Sequence, residues 1–309
     1  MHQSFFVTSG EHVELARDEI ISITKSYDKK AVIKSDSRLV TVKSKIPYSK
    51  ITSRATFVKI SGTLIGTISD LDQIKIPVTK PVSFACRVVN LSTKNINSYH
   101  LEKEIGTALK QKWNSRVSLS NPHLTVYLII TNSKKYIGYS KKQIEPKRPE
   151  KLLKYPHELD SKLARCMVNL SQLKEGQTLC DPFCGTGTIL LEAESMGIKA
   201  IGIDFDPEMC GITKKNLALN GFKSQVINSS YHDIKKMMGK IDAVVTDLPY
   251  GISSKSSTEP EKLVREFVST IPKKKKLVIV YKKGFDVTIK AKKYEIYRHK
   301  SLTRVIISR

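Results

Sequence analysis

The spacing of hydrophobic residues changes regularly along the C-terminal half of the chain. Short apolar runs at 200–203, 241–246 and 277–281 have the length of buried strands. The stretches between them, such as 188–196 and 207–219, carry apolar residues at helical spacing. Strands that alternate with helices form right-handed βαβ units. The pattern therefore predicts an α/β fold with a mostly parallel sheet covered by helices on both faces.

Two strand-like runs at 294–297 and 303–307 end the chain, with only a few residues between them. That gap is too short for a crossover helix, so it predicts a hairpin in which one strand runs antiparallel. With further runs at 178–180 and 224–227, the C-terminal sheet is predicted to have seven strands.

The N-terminal half follows a different, α+β pattern. Residues 11–24 place apolar side chains on one helical face, and 101–109 repeat that spacing. Residues 32–42 predict a hairpin, while 82–89 and 124–130 predict further strands.

The segment 140–156 separates the two patterns. It contains three prolines and few large apolar residues before Leu152. Proline fixes its own backbone and restricts the residue before it, so the segment predicts a semi-rigid linker. A helix is expected to begin near Asp160, because an aspartate there can cap the first free backbone amides.

The chain carries a large excess of positive charge. Its 309 residues include 53 Lys and Arg against 29 Asp and Glu, a net charge of +24. Such a surface favours a polyanionic partner such as nucleic acid, with an acidic membrane surface as the alternative. No run approaches the roughly 18 apolar residues of a membrane span, and residues 1–10 do not form a basic and apolar leader. The expectation is a soluble, cytoplasmic protein.

The five cysteines indicate neither a zinc site nor a disulfide framework. They are Cys86, Cys166, Cys180, Cys184 and Cys210, an odd number without paired Cys-x-x-Cys spacing. We expect them to be small buried hydrophobic residues, and no metal is predicted. Cys180 and Cys184 are near enough in sequence for an occasional disulfide.

The first chemical motif lies where a predicted strand meets a predicted helix: Asp181-Pro182-Phe183-Cys184-Gly185-Thr186-Gly187-Thr188. Its glycines permit a tight turn and a close approach of the backbone to a ligand. The third glycine of the dinucleotide fingerprint is absent, which disfavours a nicotinamide cofactor. A glycine turn that only joins strand to helix is the simpler alternative.

Two acidic residues follow the next predicted strand. Asp204 ends that strand, where a carboxylate can bind the ribose hydroxyls of a nucleoside, and Phe205 can lie against the adenine. Asp206 precedes Pro207, and Asp-Pro at a helix start is typical of an N-cap followed by the favoured first-turn proline.

The second motif, Asp247-Leu248-Pro249-Tyr250, follows the fourth predicted strand. Ligands bind at the carboxyl ends of the strands in α/β sheets, so this motif and the glycine loop are expected to meet. The Asp247 carboxylate and the Leu248 carbonyl can accept the two hydrogens of an exocyclic amine, and Tyr250 can stack on its ring. Together the motifs favour methyl transfer from S-adenosyl-L-methionine to a nucleobase amine, while an ordinary turn is the alternative.

With these motifs the chain resembles the THUMP-containing, Rossmann-like tRNA guanine N2-methyltransferases. Residues 84–88, 105–106 and 116–122 are similar to the THUMP domain, 163–170 to the helix that opens the methyltransferase domain, and 299–304 to its closing hairpin. The resemblance implies these domains: ferredoxin-like at 1–52, tRNA-binding THUMP at 53–139, linker at 140–156 and Rossmann-like methyltransferase at 157–309.

The resemblance also implies the substrate, cofactor and site residues. Asp-Leu-Pro-Tyr followed by Gly-x-Ser-Ser is most similar to the archaeal-type enzyme that methylates guanine 10 of tRNA once or twice, with the guanine-6 branch as the nearest alternative. The catalytic residues would be Asp247, Leu248, Pro249 and Tyr250. The residues that bind S-adenosyl-L-methionine would be Asp181, Pro182, Phe183, Gly185, Thr186, Gly187, Thr188, Asp204, Phe205, Ser230, Asp233 and Asp247.

The chain departs from the family pattern at two positions. The acidic residue that holds the adenine amine would fall at Ser230, so this contact would pass to that hydroxyl, to Asp233 or to backbone. Ile252 stands where a basic residue often contacts substrate phosphate. No metal is implied, protein partners are left open, and a monomer is compatible with the sequence. A DNA amino-methyltransferase and a non-catalytic RNA-binding adaptor are the remaining alternatives.

Overall fold

The chain divides into two compact units. The computed structural model describes residues 1–68, 76, 81–141, 145–153, 155, 158–249, 259–299 and 302–309. The first unit comprises Met1–Ser53 and Phe57–Pro146, and the second comprises Arg54–Thr56 and Lys147–Arg309.

The first unit is built on one eight-stranded sheet with the strand order β2-β3-β1-β4-β8-β7-β5-β6. Strand β5 runs parallel to β6 and β7, and the other neighbours are antiparallel. The α+β pattern expected for this half is therefore present. Its elements are β1 (His2–Thr8), α1 (Val13–Tyr27), β2 (Val32–Asp36), β3 (Leu39–Ser44), α2 (Tyr48–Thr52), β4 (Val58–Ile68), β5 (Ser83–Asn90), α3 (Ser98–Trp113), β6 (Arg116–Val117), β7 (Leu124–Ile130) and β8 (Lys135–Ser140).

Aromatic side chains are part of the mainly aliphatic core that packs on this sheet. Phe5 is fully buried, and Phe84 packs edge-on against Trp113 with 5.2 Å between the ring centroids. Gly62 and Gly138 leave room for Phe5, because a Cβ at either position would come within 2.7 Å of its Cε1 atom. Backbone approach this close is possible only without a side chain.

The second unit contains a seven-stranded sheet with the order β11-β10-β9-β12-β13-β15-β14. The first five strands are parallel, and β15 runs antiparallel to both β13 and β14. The predicted α/β pattern and antiparallel hairpin strand are confirmed. The elements are α4 (Ser161–Leu170), β9 (Thr178–Asp181), α5 (Thr188–Ser195), β10 (Lys199–Asp204), α6 (Pro207–Leu219), β11 (Gln225–Asn228), α7 (Ile234–Met237), β12 (Ala243–Asp247), α8 (Pro260–Thr270), β13 (Lys276–Lys282), β14 (Lys292–His299) and β15 (Leu302–Ser308).

The strand order reverses between β9 and β12, and this reversal positions the site. From β9 the chain proceeds outward through β10 to β11, and then returns to the other side of β9 as β12. Loops at the carboxyl ends of β9 and β12 therefore diverge from a common crevice. Such a switch point is the usual ligand-binding place of an open α/β sheet.

The helix starts of this unit follow the expected capping chemistry. Asp160 accepts hydrogen bonds from the backbone amides of Lys162 and Leu163 and begins α4. Asp206 accepts from the amide of Glu208, with Pro207 in the first turn of α6. Both N-cap predictions are confirmed.

A buried ion pair holds helices α4 and α5 together. The Arg165 guanidinium donates to Glu192 Oε2 at 2.8 Å, and the two side chains are 2% and 1% exposed. Arg165 also donates to the backbone carbonyl of Arg54 at 2.8 Å, which fastens the short Arg54–Thr56 segment to this unit.

All five cysteines are buried and free, including Cys180 and Cys184. In the described ranges, no helix combines the length and the apolar character needed to cross a lipid bilayer.

Candidate active site

The glycine loop turns sharply between β9 and α5. Gly185 and Gly187 have φ angles of 50° and 84°, in the left-handed region that favours glycine. A Cβ at Gly187 would lie 2.8 Å from Cγ2 of Thr213 on α6. Thr213 also donates its hydroxyl to the carbonyl of Gly185 at 2.5 Å. Helix α6 therefore packs directly beneath the loop and fixes its path.

Asp204 supports the same loop from the neighbouring strand. Its Oδ2 accepts from the amide of Gly185 at 2.8 Å, and its Oδ1 accepts from the amide of Asp206 at 3.0 Å. Burial raises the pKa of Asp204, although these amide hydrogen bonds oppose the shift. Phe205 beside it is 48% exposed. The predicted ribose and adenine contacts lie at the correct edge of the sheet and stay predictions.

Asp181 ends β9 and is almost completely buried. Its Oδ1 accepts from the hydroxyl of Thr246 at 2.5 Å and from the amide of Phe183 at 3.2 Å. Burial raises its pKa to about 7, and repulsion from Asp247 and Asp204 adds to the shift. Thr246 thus links the glycine-loop motif to the strand that carries the predicted catalytic motif.

Asp247 ends β12 at the same crevice. Its Oδ1 atom is shielded from solvent and makes no hydrogen bond to any residue that the structure describes. Burial raises the pKa of Asp247 to about 7, and the positive charge of Arg304 offsets only part of this effect. A buried acceptor without a donor is costly, so the atom is suited to a ligand hydrogen.

Two further residues of the second motif, Leu248 and Pro249, are described by the structure. Leu248 is fully buried and donates its amide to the carbonyl of Val280 at 2.9 Å, which fixes the backbone after Asp247. Pro249 is half-buried. Tyr250 and Ile252 lie outside the described residues.

The electrostatics of this crevice fit a cationic cofactor. The charges of Asp247 and Asp204 both lie near enough to raise the pKa of Asp181. A ligand with a sulfonium and an ammonium group would relieve this repulsion and favour the ionised carboxylates. S-adenosyl-L-methionine carries both groups.

Ser230 and Asp233 are engaged elsewhere in the structure. Ser230 caps the short 3-10 turn at Tyr231–Asp233 by accepting from the amide of His232. Asp233 accepts from Ser229 and forms an ion pair with Lys236 at 2.6 Å, and hydrogen bonds from these two partners lower its pKa. Their predicted contacts with the cofactor stay predictions.

Several residues at the crevice carried no signal in the sequence. Tyr231 stacks on Phe183 of the glycine loop, with 5.1 Å between the ring centroids. Lys151, in the segment interpreted as a linker, and Glu158, just after it, reach the same loop. A single aromatic or charged residue in a loop has no distinctive pattern, so only its position in space reveals it.

No group of His, Cys, Asp and Glu side chains suited to a metal ion occurs among the described residues.

Comparison with known proteins gives the family. The model of an RMKL-like methyltransferase domain matches residues 148–305, and a DNA methylase model matches residues 2–215. The chain is 32% identical to a tRNA (guanine(10)-N2)-dimethyltransferase of Methanocaldococcus jannaschii, over 97% of both chains. It is 33% identical to a protein of the same name from Methanothermobacter thermautotrophicus, over 96% of both chains.

The chain belongs to the tRNA guanine N2-methyltransferase family. It is a methyltransferase that uses S-adenosyl-L-methionine, as its motifs predicted. The crystal structure of TrmN from Thermus thermophilus has the same fold, with a TM-score of 0.56, 15% identity and 99% coverage of both chains. The DNA methylase match ends before Asp247, whereas the match to the methyltransferase domain includes both motifs.

Proposed function

We propose that this enzyme methylates the exocyclic N2 of guanine 10 in tRNA, and that it adds two methyl groups in succession. The names of both archaeal relatives support the base, the position and the second methylation. The observation that carries the proposal is the position of Asp247. Its shielded Oδ1, to which no described residue donates a hydrogen bond, lies at the switch point of the sheet, within electrostatic reach of Asp181.

The chain's own residues would position the amine and accept its proton. S-adenosyl-L-methionine supplies the methyl group on its sulfonium. Asp247 Oδ1 and the Leu248 carbonyl would accept the two N2 hydrogens, which raises the electron density on a nitrogen that is otherwise conjugated with the ring. As the new carbon–nitrogen bond forms, the methyl–sulfur bond would break and S-adenosylhomocysteine would leave, while the nitrogen loses one proton that the ionised Asp247 carboxylate would accept.

The remaining site roles are part of the same proposal. Gly185, Thr186, Gly187 and Thr188 would surround the cofactor, with Asp181, Pro182, Phe183, Asp204, Phe205, Ser230 and Asp233 as further contacts. Pro249 would fix the backbone direction and Tyr250 would stack on the guanine. Most of the rate would come from holding the two reactants in line, which can remove about 7 to 11 kcal/mol of the barrier.

The first unit would select the RNA. We propose a ferredoxin-like subdomain followed by a THUMP domain that binds tRNA, with a cytoplasmic location. The net charge of +24 suits a polyphosphate partner. A guanine within a helix is inaccessible to the crevice, so it would be flipped out at a cost of a few kcal/mol, offset by stacking and phosphate contacts.

Nucleoside mass spectrometry of tRNA transcripts tests the proposal. Wild-type protein with S-adenosyl-L-methionine is expected to produce N2-methylguanosine and then N2,N2-dimethylguanosine at position 10, and no product in a transcript with adenine at that position. Asp247→Ala is expected to bind tRNA and cofactor and to produce no methylated base. Methylation at position 6 only, methylation of duplex DNA only, or turnover by the variant would each refute it.

A further inference from the structure

An ion pair from the segment before α4 lies against the glycine loop. The Nζ atom of Lys151 is 2.6 Å from Glu158 Oε2, 2.8 Å from the Thr186 hydroxyl and 2.6 Å from the Thr188 hydroxyl. The Lys151 and Glu158 side chains are 11% and 22% exposed. An ammonium group has three donors, and these contacts use all of them.

Two asparagines at the end of α6 hold the chain on which Lys151 lies. Asn216 exchanges hydrogen bonds of 3.0 Å with both backbone groups of Leu153, and it also donates to the carbonyl of Thr186 at 3.0 Å. One turn later, Asn220 pairs in the same way with the backbone of Glu150, at 2.9 and 2.7 Å. Residues 150–153 are therefore a fixed part of the methyltransferase unit and hold Lys151 at the glycine loop.

The hydrogen bonds to the Glu158 carboxylate from described residues all go to one of its two oxygens. Its Oε2 accepts from Lys151, from the Thr186 hydroxyl at 2.9 Å and from the amide of Tyr155 at 3.1 Å. Within the described part of the chain, its Oε1 has no hydrogen-bond partner. One carboxylate oxygen is thus anchored beside the glycine loop, and the other makes no hydrogen bond to a described residue.

We propose that Glu158 binds the α-ammonium group at the amino-acid end of S-adenosyl-L-methionine, and that Lys151 is a positioning residue for this carboxylate. Lys151 has no donor left for the cofactor's own carboxylate, so its contribution is to hold Glu158 and the two threonines in place. Charge supports the assignment: burial raises the pKa of Glu158, but the hydrogen bonds from Lys151 and Tyr155 outweigh it and lower the pKa overall. At neutral pH the ammonium group therefore meets a full negative charge.

Two ligands distinguish a contact between Glu158 and the ammonium group from a general effect on the pocket. S-adenosylhomocysteine contains the ammonium group, whereas 5′-methylthioadenosine has the same nucleoside without the amino-acid end. Glu158→Gln removes the charge and keeps an acceptor oxygen for Lys151. Since a hydrogen bond to a charged group is the stronger kind, we expect S-adenosylhomocysteine to bind the variant roughly ten- to a hundredfold more weakly, with 5′-methylthioadenosine unchanged.

Isothermal titration calorimetry on the full chain measures both affinities. Glu150→Gln is the matched control, since Glu150 is an exposed glutamate of the same segment whose backbone, not its side chain, pairs with Asn220. The proposal would be overturned if Glu158→Gln weakened the binding of both ligands equally, or weakened the binding of neither. The inference rests on the use of S-adenosyl-L-methionine. Failure of the wild-type chain to bind S-adenosylhomocysteine would overturn that cofactor assignment and the inference with it.

The positioning role of Lys151 has its own readout. Lys151→Met is expected to weaken the binding of S-adenosylhomocysteine but not of 5′-methylthioadenosine, as Glu158→Gln does. The change in log Kd of the double variant is expected to be smaller than the sum of the two separate changes. The role would be overturned if the two effects on log Kd were additive, that is, if Lys151→Met weakened S-adenosylhomocysteine binding just as much when Glu158→Gln is already present. A thermal unfolding midpoint close to wild type without ligand excludes loss of folding as the cause.

Discussion

The partly buried Asp247 carboxylate, whose Oδ1 is shielded from solvent, is expected to reduce the stability of the ligand-free protein when ionised, and replacing Asp247 should show by how much. Asp247→Asn keeps the size and one acceptor oxygen but removes the titration. The folded-state pKa of about 7 compares with an ordinary value of 3.8. A carboxyl whose pKa is raised on folding favours the folded state when protonated, so stability is highest at low pH and falls as the pH rises from 3.8 towards 7.

The size of this effect follows from the shift. About three units at about 1.4 kcal/mol each give a loss of about 4 kcal/mol once the pH exceeds 7. At about pH 4.5 only about 1 kcal/mol has been lost. Asp181 titrates in both proteins, so most of its contribution cancels. The stability of Asp247→Asn relative to wild type is therefore expected to increase by about 3 kcal/mol between about pH 4.5 and pH 8.

Hydrogen exchange of the β9 and β12 backbone amides is a suitable assay, measured in increasing urea at both pH values. Trp113, the single tryptophan, lies in the first unit, whereas these amides report directly on the sheet that carries Asp247. Asp286→Asn changes an exposed aspartate of the same unit and is the matched control. A stability difference between wild type and Asp247→Asn that is the same at both pH values would refute the reasoning.

Two further variants test how the site is supported. Arg165→Met leaves the buried Glu192 carboxylate without its closest partner and is expected to cost about 3 to 5 kcal/mol in urea unfolding of the second unit, whereas a loss below about 1 kcal/mol would contradict the assigned ion pair. Gly187→Ala introduces a Cβ 2.8 Å from Thr213 at a φ of 84°. It should cost roughly 1 to 3 kcal/mol of stability and weaken S-adenosylhomocysteine, and unchanged calorimetric affinity would contradict the close packing of the loop.

Local features of the sequence were enough to predict much of the fold. Alternating strand and helix patterns predicted the α/β architecture, and the short gap between the last two strands predicted a hairpin with one antiparallel strand, which the structure shows to be β15. Asp160 and Asp206 were identified as N-caps from their immediate neighbours. These features depend on residues within a few positions of one another, where backbone geometry and side-chain spacing leave little choice.

Part of the candidate site could also be predicted, because the motifs end strands of one parallel sheet. Asp181, Asp204 and Asp247 were expected at one edge for that reason, and the structure places them there. The roles of Ser230 and Asp233 followed from resemblance alone, and in the structure both side chains already have other partners.

The sequence by itself determined which chemical groups are available and which edge of the sheet they occupy. Only the tertiary structure decided which hydrogen bonds these groups make and how their pKa values are shifted. The hydrogen bond from Thr246 to Asp181 joins residues 65 positions apart, and the one from Lys151 to Thr186 joins residues 35 positions apart. A pKa of about 7 for Asp247 and a lowered pKa for Glu158 depend on how much water and which donors surround each carboxylate. These surroundings are produced by packing between distant segments, and no local pattern encodes them.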